Sequence, residues 1–338
     1  MGKMKSASPA YSKVEMTDAQ EYGASVWRHQ HVLDIQDFSV EEIELVMQLA
    51  DVMSHQFAAP TKKTYSLRSK TVITLFYEAS TRTRGSFEVA AKNLDANVVN
   101  MTVQSSSISK GESLINTLRT LESIGADIIV MRHPLSGAHY CAVHHVQSRL
   151  INAGDGWHAH PTQALLDLYS IRQRLGTVQG RKIVIVGDIK HSRVAHSNIW
   201  CLSKMGARVV LCAPPTLLPA GLEKAHDCFP KVEVDNNIHT ALVDADVIME
   251  LRLQKERMRG DLLPGIEEYI FGYQLNASRL ALAKPQAIVM HPGPVNEGVE
   301  LSTDILHSPQ AVVDKQVANG VAVRMAILQL LAVSKTNA

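Results

Sequence analysis

The chain has 338 residues, 46% of them hydrophobic, and 34 Lys and Arg stand against 33 Asp and Glu for a net charge of +1. That length and apolar content predict about two domains with a large core. The charge balance gives no electrostatic footprint for nucleic acid or an anionic membrane, so neither is expected as a partner.

The first stretch, "MGKMKSASPAYSKVEMTDAQEYG", is polar and lacks the apolar core of a signal peptide. Residues 1–25 read as a disordered leader. "TVITLFY" (71–77) reads as a buried strand, and Phe87, Ala90, Ala91 and Leu94 then recur at helical spacing. "NVVNM" (97–101) is a second strand, Leu114, Ile115, Leu118 and Leu121 mark a helix, and "ADIIVM" (126–131) and "RLINA" (149–153) are further strands. In "HPTQALLDLYSIRQRLG", Leu165, Leu168, Ile171 and Leu175 share one face and Gly176 supplies the stop, so a long helix is predicted to bridge two domains. A second alternating series follows, with strands at 181–187, 207–213, 246–250 and 287–290. The last segment, from Ser308 onward, reads as one long apolar helix that packs back on the first domain. No apolar run is counted as approaching the roughly 18 residues of a membrane helix. Cys141, Cys201, Cys212 and Cys228 form no C-x-x-C pair, so neither a zinc site nor a disulfide framework is indicated, and a cytoplasmic, reducing compartment is expected.

Continuous apolar strands separated by helices imply an α/β chain of two domains, each a mostly parallel sheet flanked by helices. Ligands of open parallel sheets bind beyond the carboxyl ends of the strands. The segments there are "EASTRTR", "QSSSISKGES", "RHPLSG" and "GDGWHAHPTQ" in the first half, and "GDIKHSR", "LRLQKER" and "HPGP" in the second. In "STRTR", Ser80 precedes a helical pattern. A helix start offers unpaired N–H groups and partial positive charge, the hydroxyls add donors, and arginine adds a fork that matches phosphate or carboxylate. The plainer reading is an N-capping serine beside two surface arginines. Arg132, Arg193 and Arg252 each end a strand and are available to an anion; each alone is more often a surface residue. His158 and His160 stand two apart, but no carboxylate or cysteine nearby completes a metal ligand set. "VIVGDIKHSR" has a single Gly187 where a dinucleotide fingerprint needs three glycines, and no P-loop or G-x-S-x-G elbow occurs. Neither a metal nor a cofactor is expected.

Taken in order, "STRTRGSFE", "KGES", "MRHP", "INAGDG", "HPTQALLDLYSI", "VGDIKHSR", "LQKER" and "HPGPVN" resemble the aspartate branch of the aspartate/ornithine carbamoyltransferases, from about His31 to the C-terminal helix. "RLQKER" and "HPGP" select that branch; the SMG and HCLP motifs of an ornithine enzyme are absent. The resemblance implies transfer of a carbamoyl group from carbamoyl phosphate to L-aspartate, early in pyrimidine synthesis. It implies a carbamoyl phosphate domain at 26–165, completed by the C-terminal helix at 311–334, and an aspartate domain at 166–310, with two interdomain helices between them. Ser80, Thr81, Arg82 and Thr83 would hold the phosphate. Arg132 would span phosphate and carbonyl oxygen, His160 would donate to that oxygen, and Arg82, Thr83, Arg132 and His160 would form the catalytic group. Gln163, Pro292, Gly293 and Pro294 would meet the carbamoyl amide. Arg193, Arg252 and Gln254 would hold aspartate, joined by Lys110, which with Ser106 would reach in from a neighbouring subunit of a homotrimer. Arg324 has a weaker claim on contact, and Arg84 is read as supporting the loop or an interface. The resemblance admits regulatory or dihydroorotase-type chains as further partners. Two alternatives stay open: another amino acceptor, or a silent homologue that acts in assembly. Gly85 and Glu297 depart from common family residues, and Glu297 is read as facing solvent.

Overall fold

The computed structural model describes residues 26–59, 63–102, 111–222, 229–254, 262 and 265–333. The leader at 1–25 lies outside them. The first sheet has four strands, β1 (Thr71–Phe76), β2 (Asn97–Thr102), β3 (Ile128–His133) and β4 (Arg149–Asp155), in the order β2-β1-β3-β4. The second has five, β5 (Lys182–Val186), β6 (Arg208–Cys212), β7 (Glu233–Val234), β8 (Val247–Glu250) and β9 (Ile288–Met290), in the order β7-β6-β5-β8-β9. Every pairing is parallel. The reason is legible in the runs themselves: β1 and β5 are rich in β-branched residues that are buried along nearly their whole length, as strands covered on both faces must be.

Strand order places the site. Beside β1 the chain runs to β2 on one side and β3 on the other, so a crevice opens between the carboxyl ends of β1 and β3. Around β5 the same reversal opens a crevice between β5 and β8. Strands β3 and β4 run two residues past their predicted ends, so Arg132 lies within β3 and Asp155 closes β4.

Helices flank both sheets. α1 (Val40–Ala58) stands outside the alternating series. It begins in a capping box: the Ser39 hydroxyl accepts from Glu42 N at 3.2 Å and Glu42 Oε2 accepts from Ser39 N at 2.9 Å. α2 (Thr81–Asn93) follows β1 and α3 (Leu114–Ser123) precedes β3. The short α4 (Ala138–Ala142) leads to β4, and α5 (Pro161–Leu175) starts at a proline and ends at Gly176 in a positive-φ conformation. α6 (Arg193–Lys204) follows β5 and packs against α5. Beyond the short helices α7 (Ile238–Ala241), α8 (Ile266–Tyr273), α9 (Ala277–Leu280) and α10 (Thr303–Leu306), the chain closes with α11 (Val313–Val333). α11 packs on α1, α2 and α5, and so lies on the first sheet's side of the molecule.

α11 corrects one expectation. By length and composition it is apolar enough to cross a membrane, although the sequence reading counts no such run. Most of it is buried inside the protein, and Gln316, Asn319, Arg324 and Gln329 are buried polar groups that hydrocarbon would not tolerate without partners. It is an interior helix of the fold.

Gly85 sits within α2, where an added Cβ would meet nothing within 4 Å. Glycine in a helix interior costs about 0.5–1 kcal/mol against alanine. Gly85→Ala is therefore expected to raise the unfolding free energy by about that amount, read as a higher urea midpoint; an unchanged or lower midpoint would show a neighbour that the fold does not reveal.

Candidate active site

The two crevices face one another across a cleft of about 550 Å³. Its first wall is the start of α2. Ser80 holds the N-cap position, yet its side chain makes no capping bond; its hydroxyl instead accepts from Arg132 Nη1 at 3.3 Å. The plain capping reading of "STRTR" therefore fails. The first-turn N–H groups keep their partial positive charge toward the cleft, with Thr81 and Arg82 exposed and Thr83 buried at its edge. Beneath them the Ser86 hydroxyl donates back to the Arg82 carbonyl at 2.7 Å and accepts from Arg324 Nη1 at 2.8 Å. Arg324, on α11, is buried, lies 5.0 Å from the Phe87 ring centroid, and is pushed down to about 10 by burial. It lines the cleft and braces the first turn of α2.

Arg132 and Arg193 meet at one carboxylate. Glu78 Oε2 accepts from Arg132 Nε at 3.0 Å and from Arg193 Nη2 at 2.6 Å. Arg132 belongs to the first sheet and Arg193 to the helix that follows β5, so Glu78 bridges the halves. Arg193 Nη1 is buried with no hydrogen-bond partner among the described residues. Two glycines make room for the arginines. A Cβ on Gly154 would sit 2.9 Å from Arg193 Nε, and one on Gly293 would sit 2.9 Å from Arg82 Cζ; both glycines have positive φ as well.

His160 opens α5, and its N–H donates to Ser197 Oγ on α6 at 2.8 Å. Burial, with Arg132, Arg193 and Arg324 around it, holds His160 well below the ordinary imidazole range, so the ring is neutral and carries one donor. Gln163 Nε2 donates to Asp167 Oδ1 at 3.0 Å. That commits the amide nitrogen and leaves the Gln163 carbonyl oxygen to meet an N–H donor in the cleft. Asp167 is fully buried and also accepts from Gln316 Nε2 and Asn198 Nδ2, each at 2.8 Å. Gln316 in turn accepts from His291 N at 3.0 Å, and His291 Nδ1 accepts from Gly293 N at 2.9 Å. The loop of Pro292, Gly293 and Pro294, with a cis peptide between the last two, is thus fixed along the cleft.

The second wall carries Arg193, Arg252 and Gln254. Five arginines line the cleft (Arg82, Arg132, Arg193, Arg252 and Arg324) against one lining carboxylate, Glu78, among the described residues. Such a balance suits a ligand with several negative charges. Ser106 and Lys110 lie outside the described residues. Glu297 is exposed and outside the cleft lining. Arg84 is also outside it.

Two family models divide the chain. Residues 30–173 match "Aspartate/ornithine carbamoyltransferase, carbamoyl-P binding domain" and residues 179–331 match "Aspartate/ornithine carbamoyltransferase, Asp/Orn binding domain". This chain belongs to the aspartate/ornithine carbamoyltransferase family. Relatives at high identity include the aspartate carbamoyltransferase catalytic subunit of Dehalococcoides mccartyi, 58% identical over 309 residues, covering 91% of this chain and 93% of that one. The subunit of the same name from Roseiflexus sp. is 53% identical over 317 residues, covering 94% and 99%. Among solved structures, aspartate transcarbamoylase from Trypanosoma cruzi in complex with carbamoyl phosphate and aspartate superimposes with a TM-score of 0.81 at 34% identity, covering 90% of this chain and 97% of that one.

Within this family frame, the sequence motifs name most of the cleft's wall but not what holds it. Glu78, Asp167 and His291 fall inside the motifs "EASTRTR", "HPTQALLDLYSI" and "HPGPVN" but nothing in those motifs assigns them a supporting role, and Ser197 and Gln316 fall in none. His158 does not share the cleft with His160. Its ring lies between two carboxylates, 3.1 Å from Asp155 Oδ2 and 3.2 Å from Asp34 Oδ2. Donating hydrogen bonds to Asp155 and Asp34 raises it to about 10. The pair of histidines is therefore accounted for by an ion-paired turn.

The sign of that shift sets a test. A histidine raised in the folded state stabilises fully below its unfolded value of about 6.5, and the contribution is lost as pH rises through the folded value. The stability gap between wild type and His158→Gln should be widest below about pH 6.5 and should close toward about pH 10, followed by urea unfolding across that range. A gap that widens with pH would contradict the ion-paired imidazolium.

Proposed function

We propose that this chain joins carbamoyl phosphate and L-aspartate to give N-carbamoyl-L-aspartate and phosphate, as an early step of pyrimidine synthesis in the cytoplasm. The observation that carries the reading is the two-walled arginine cleft: Arg82 and Arg132 stand at the first sheet's switch point, Arg193 and Arg252 at the second's. One wall suits a phosphate and the other the two carboxylates of aspartate. Lysine or ornithine, with a cationic side chain, would face Arg193 and Arg252 as a like charge.

The chemistry follows from these groups. The free α-amine of aspartate attacks the carbamoyl carbon, a C–N bond forms, and the carbonyl π electrons move onto oxygen. Arg132, Thr83 and the neutral imidazole of His160 line the cleft and would supply donors to that oxyanion. The electrons return, the C–O bond to phosphate breaks, and the departing phosphate takes the amine's proton. Ser80, Thr81 and Arg82 hold the phosphate throughout, while the Gln163 carbonyl oxygen and the Pro292–Gly293 backbone orient the carbamoyl NH₂. No enzyme group changes its covalent state. Rate enhancement therefore comes from holding two anionic reactants together and neutralising the charge that develops.

The segment 103–110 completes the reading. Ser106 and Lys110 would enter the cleft from a neighbouring copy in a homotrimer, adding a cation to the arginines of the first chain. When Lys110→Ala and Arg82→Ala proteins are mixed and allowed to exchange subunits, hybrid interfaces that pair the two intact residues should regain activity; exchange without recovery would sink the shared site.

Carbamoyl transfer to aspartate, to ornithine and to related amines tests the activity itself. Aspartate should be the acceptor. Turnover with ornithine and none with aspartate would falsify the assignment, and a folded assembly that uses no amine would be a silent homologue. Arg252→Ala should lower kcat/KM for aspartate by about tenfold to a hundredfold, the loss expected from one or two charge-assisted hydrogen bonds.

A further inference from the structure

The turn from Asp155 to His160 presents two side chains to different neighbours. His160 lines the cleft, while the indole of Trp157 meets the imidazole of His191 edge-on, with ring centroids 4.8 Å apart and planes at 84°. His191 belongs to the segment after β5, so this contact crosses from one half of the molecule to the other. The turn that carries Trp157 is itself fixed. Asp155 accepts from Ala159 N at 3.0 Å and from Gly137 N at 2.7 Å, His158 is clamped between Asp155 and Asp34, and Trp157 N donates to Ser136 Oγ at 3.2 Å.

On the other side, His191 is buried and its Nδ1 lies 2.8 Å from Asp188 Oδ1. The pair holds Gln254 at two points. Asp188 Oδ2 accepts from Gln254 N at 3.4 Å, and the His191 carbonyl accepts from Gln254 Nε2 at 3.1 Å. Gln254 lines the cleft beside Arg252. A continuous series of contacts thus runs from the turn bearing His160, through Trp157, His191 and Asp188, to Gln254.

We propose that Trp157 is a positioning residue for the amino-acid substrate, which seats His191 against Asp188 and thereby sets the Gln254 amide in the aspartate wall. The assignment rests on the reading above, in which Arg252 and Gln254 hold aspartate. Trp157 touches no cleft group itself: it is 40% exposed and does not line the cleft. Removing its ring takes away the packing on one side of the His191 imidazole, which then has room to turn from Asp188 and leave unset the carboxylate that accepts from Gln254 N. Gln254 loses its setting, while the phosphate wall, built from α2 and β3, keeps its own bonds.

Steady-state kinetics of the full-length chain test this, with wild type, Trp157→Ala and Trp157→Phe. Wild type must first turn over aspartate; failure there overturns the underlying reading and this assignment with it. In an active background, Trp157→Ala should raise the aspartate KM by about threefold to tenfold, the range expected for an aromatic edge contact. The KM for carbamoyl phosphate and the melting temperature should stay where they are. Trp157→Phe, which restores a ring edge, should return the aspartate KM to near wild type. In a Gln254→Ala background, Trp157→Ala should add no further change. An unchanged aspartate KM in Trp157→Ala overturns the proposal. So does an equal rise for both substrates with a lowered melting temperature, or a phenylalanine variant no better than alanine.

Discussion

A single carboxylate oxygen sets the geometry on which the rest depends. Glu78 Oε2 takes a donor from Arg132 in the first half and another from Arg193 in the second. Two guanidinium groups from separate sheets would otherwise repel across the cleft. With the acid between them they stand side by side. Arg193 Nη1, buried and unpartnered among the described residues, is a donor held ready for a ligand. The cost of leaving it so is offset only when an anion arrives, which is how a site can bind charge more strongly than water does.

Behind this bridge lies a second constraint of the same kind. Asp167 is fully buried, and amides from α5, α6 and α11 converge on it through Gln163, Asn198 and Gln316. Burial pushes its acid up to about 6, and the three amide bonds work against that rise. The arrangement couples the cleft-lining Gln163 to the helix of the opposite half and to the loop at 291–294. Arg324 braces the first turn of α2 from the same helix, α11. The C-terminal helix is therefore part of the site's foundation, which accounts for polar residues in so apolar a segment.

Much of the fold was legible because parallel strands buried on both faces must be apolar runs, and "TVITLF", "KIVIV" and "VIME" are such runs. The site's walls were legible because strand ends in such sheets carry the ligand groups, so Ser80, Arg132, Arg193 and Arg252 could be found by position. What was not legible depends on pairs distant in sequence. Glu78 and Arg193 are 115 residues apart, and Gln316 and Asp167 are 149 apart. A lone Glu or Gln says nothing of its partner. Nor does the sequence show that the missing side chains of Gly154 and Gly293 admit two arginines. α1 did carry a signal, since Ser39 and Glu42 form a capping box before Ile43, Val46, Met47 and Ala50; it has no strand beside it in sequence to draw attention to it. The spacing of His158 and His160 is equally silent on their partners: His158 pairs with Asp155 and Asp34, while His160 lines the cleft.

If the bridge is the organising contact, its acid is the residue to change. Glu78→Gln keeps the shape and removes the charge that holds Arg132 and Arg193 together. Measured as kcat/KM for aspartate at saturating carbamoyl phosphate, with the carbamoyl phosphate dissociation constant taken alongside, it should lose about tenfold to a hundredfold in the first. The second should change little, because Ser80 to Thr83 on α2 remain in place. Wild-type turnover of aspartate in Glu78→Gln, or a loss confined to carbamoyl phosphate binding, would contradict the account.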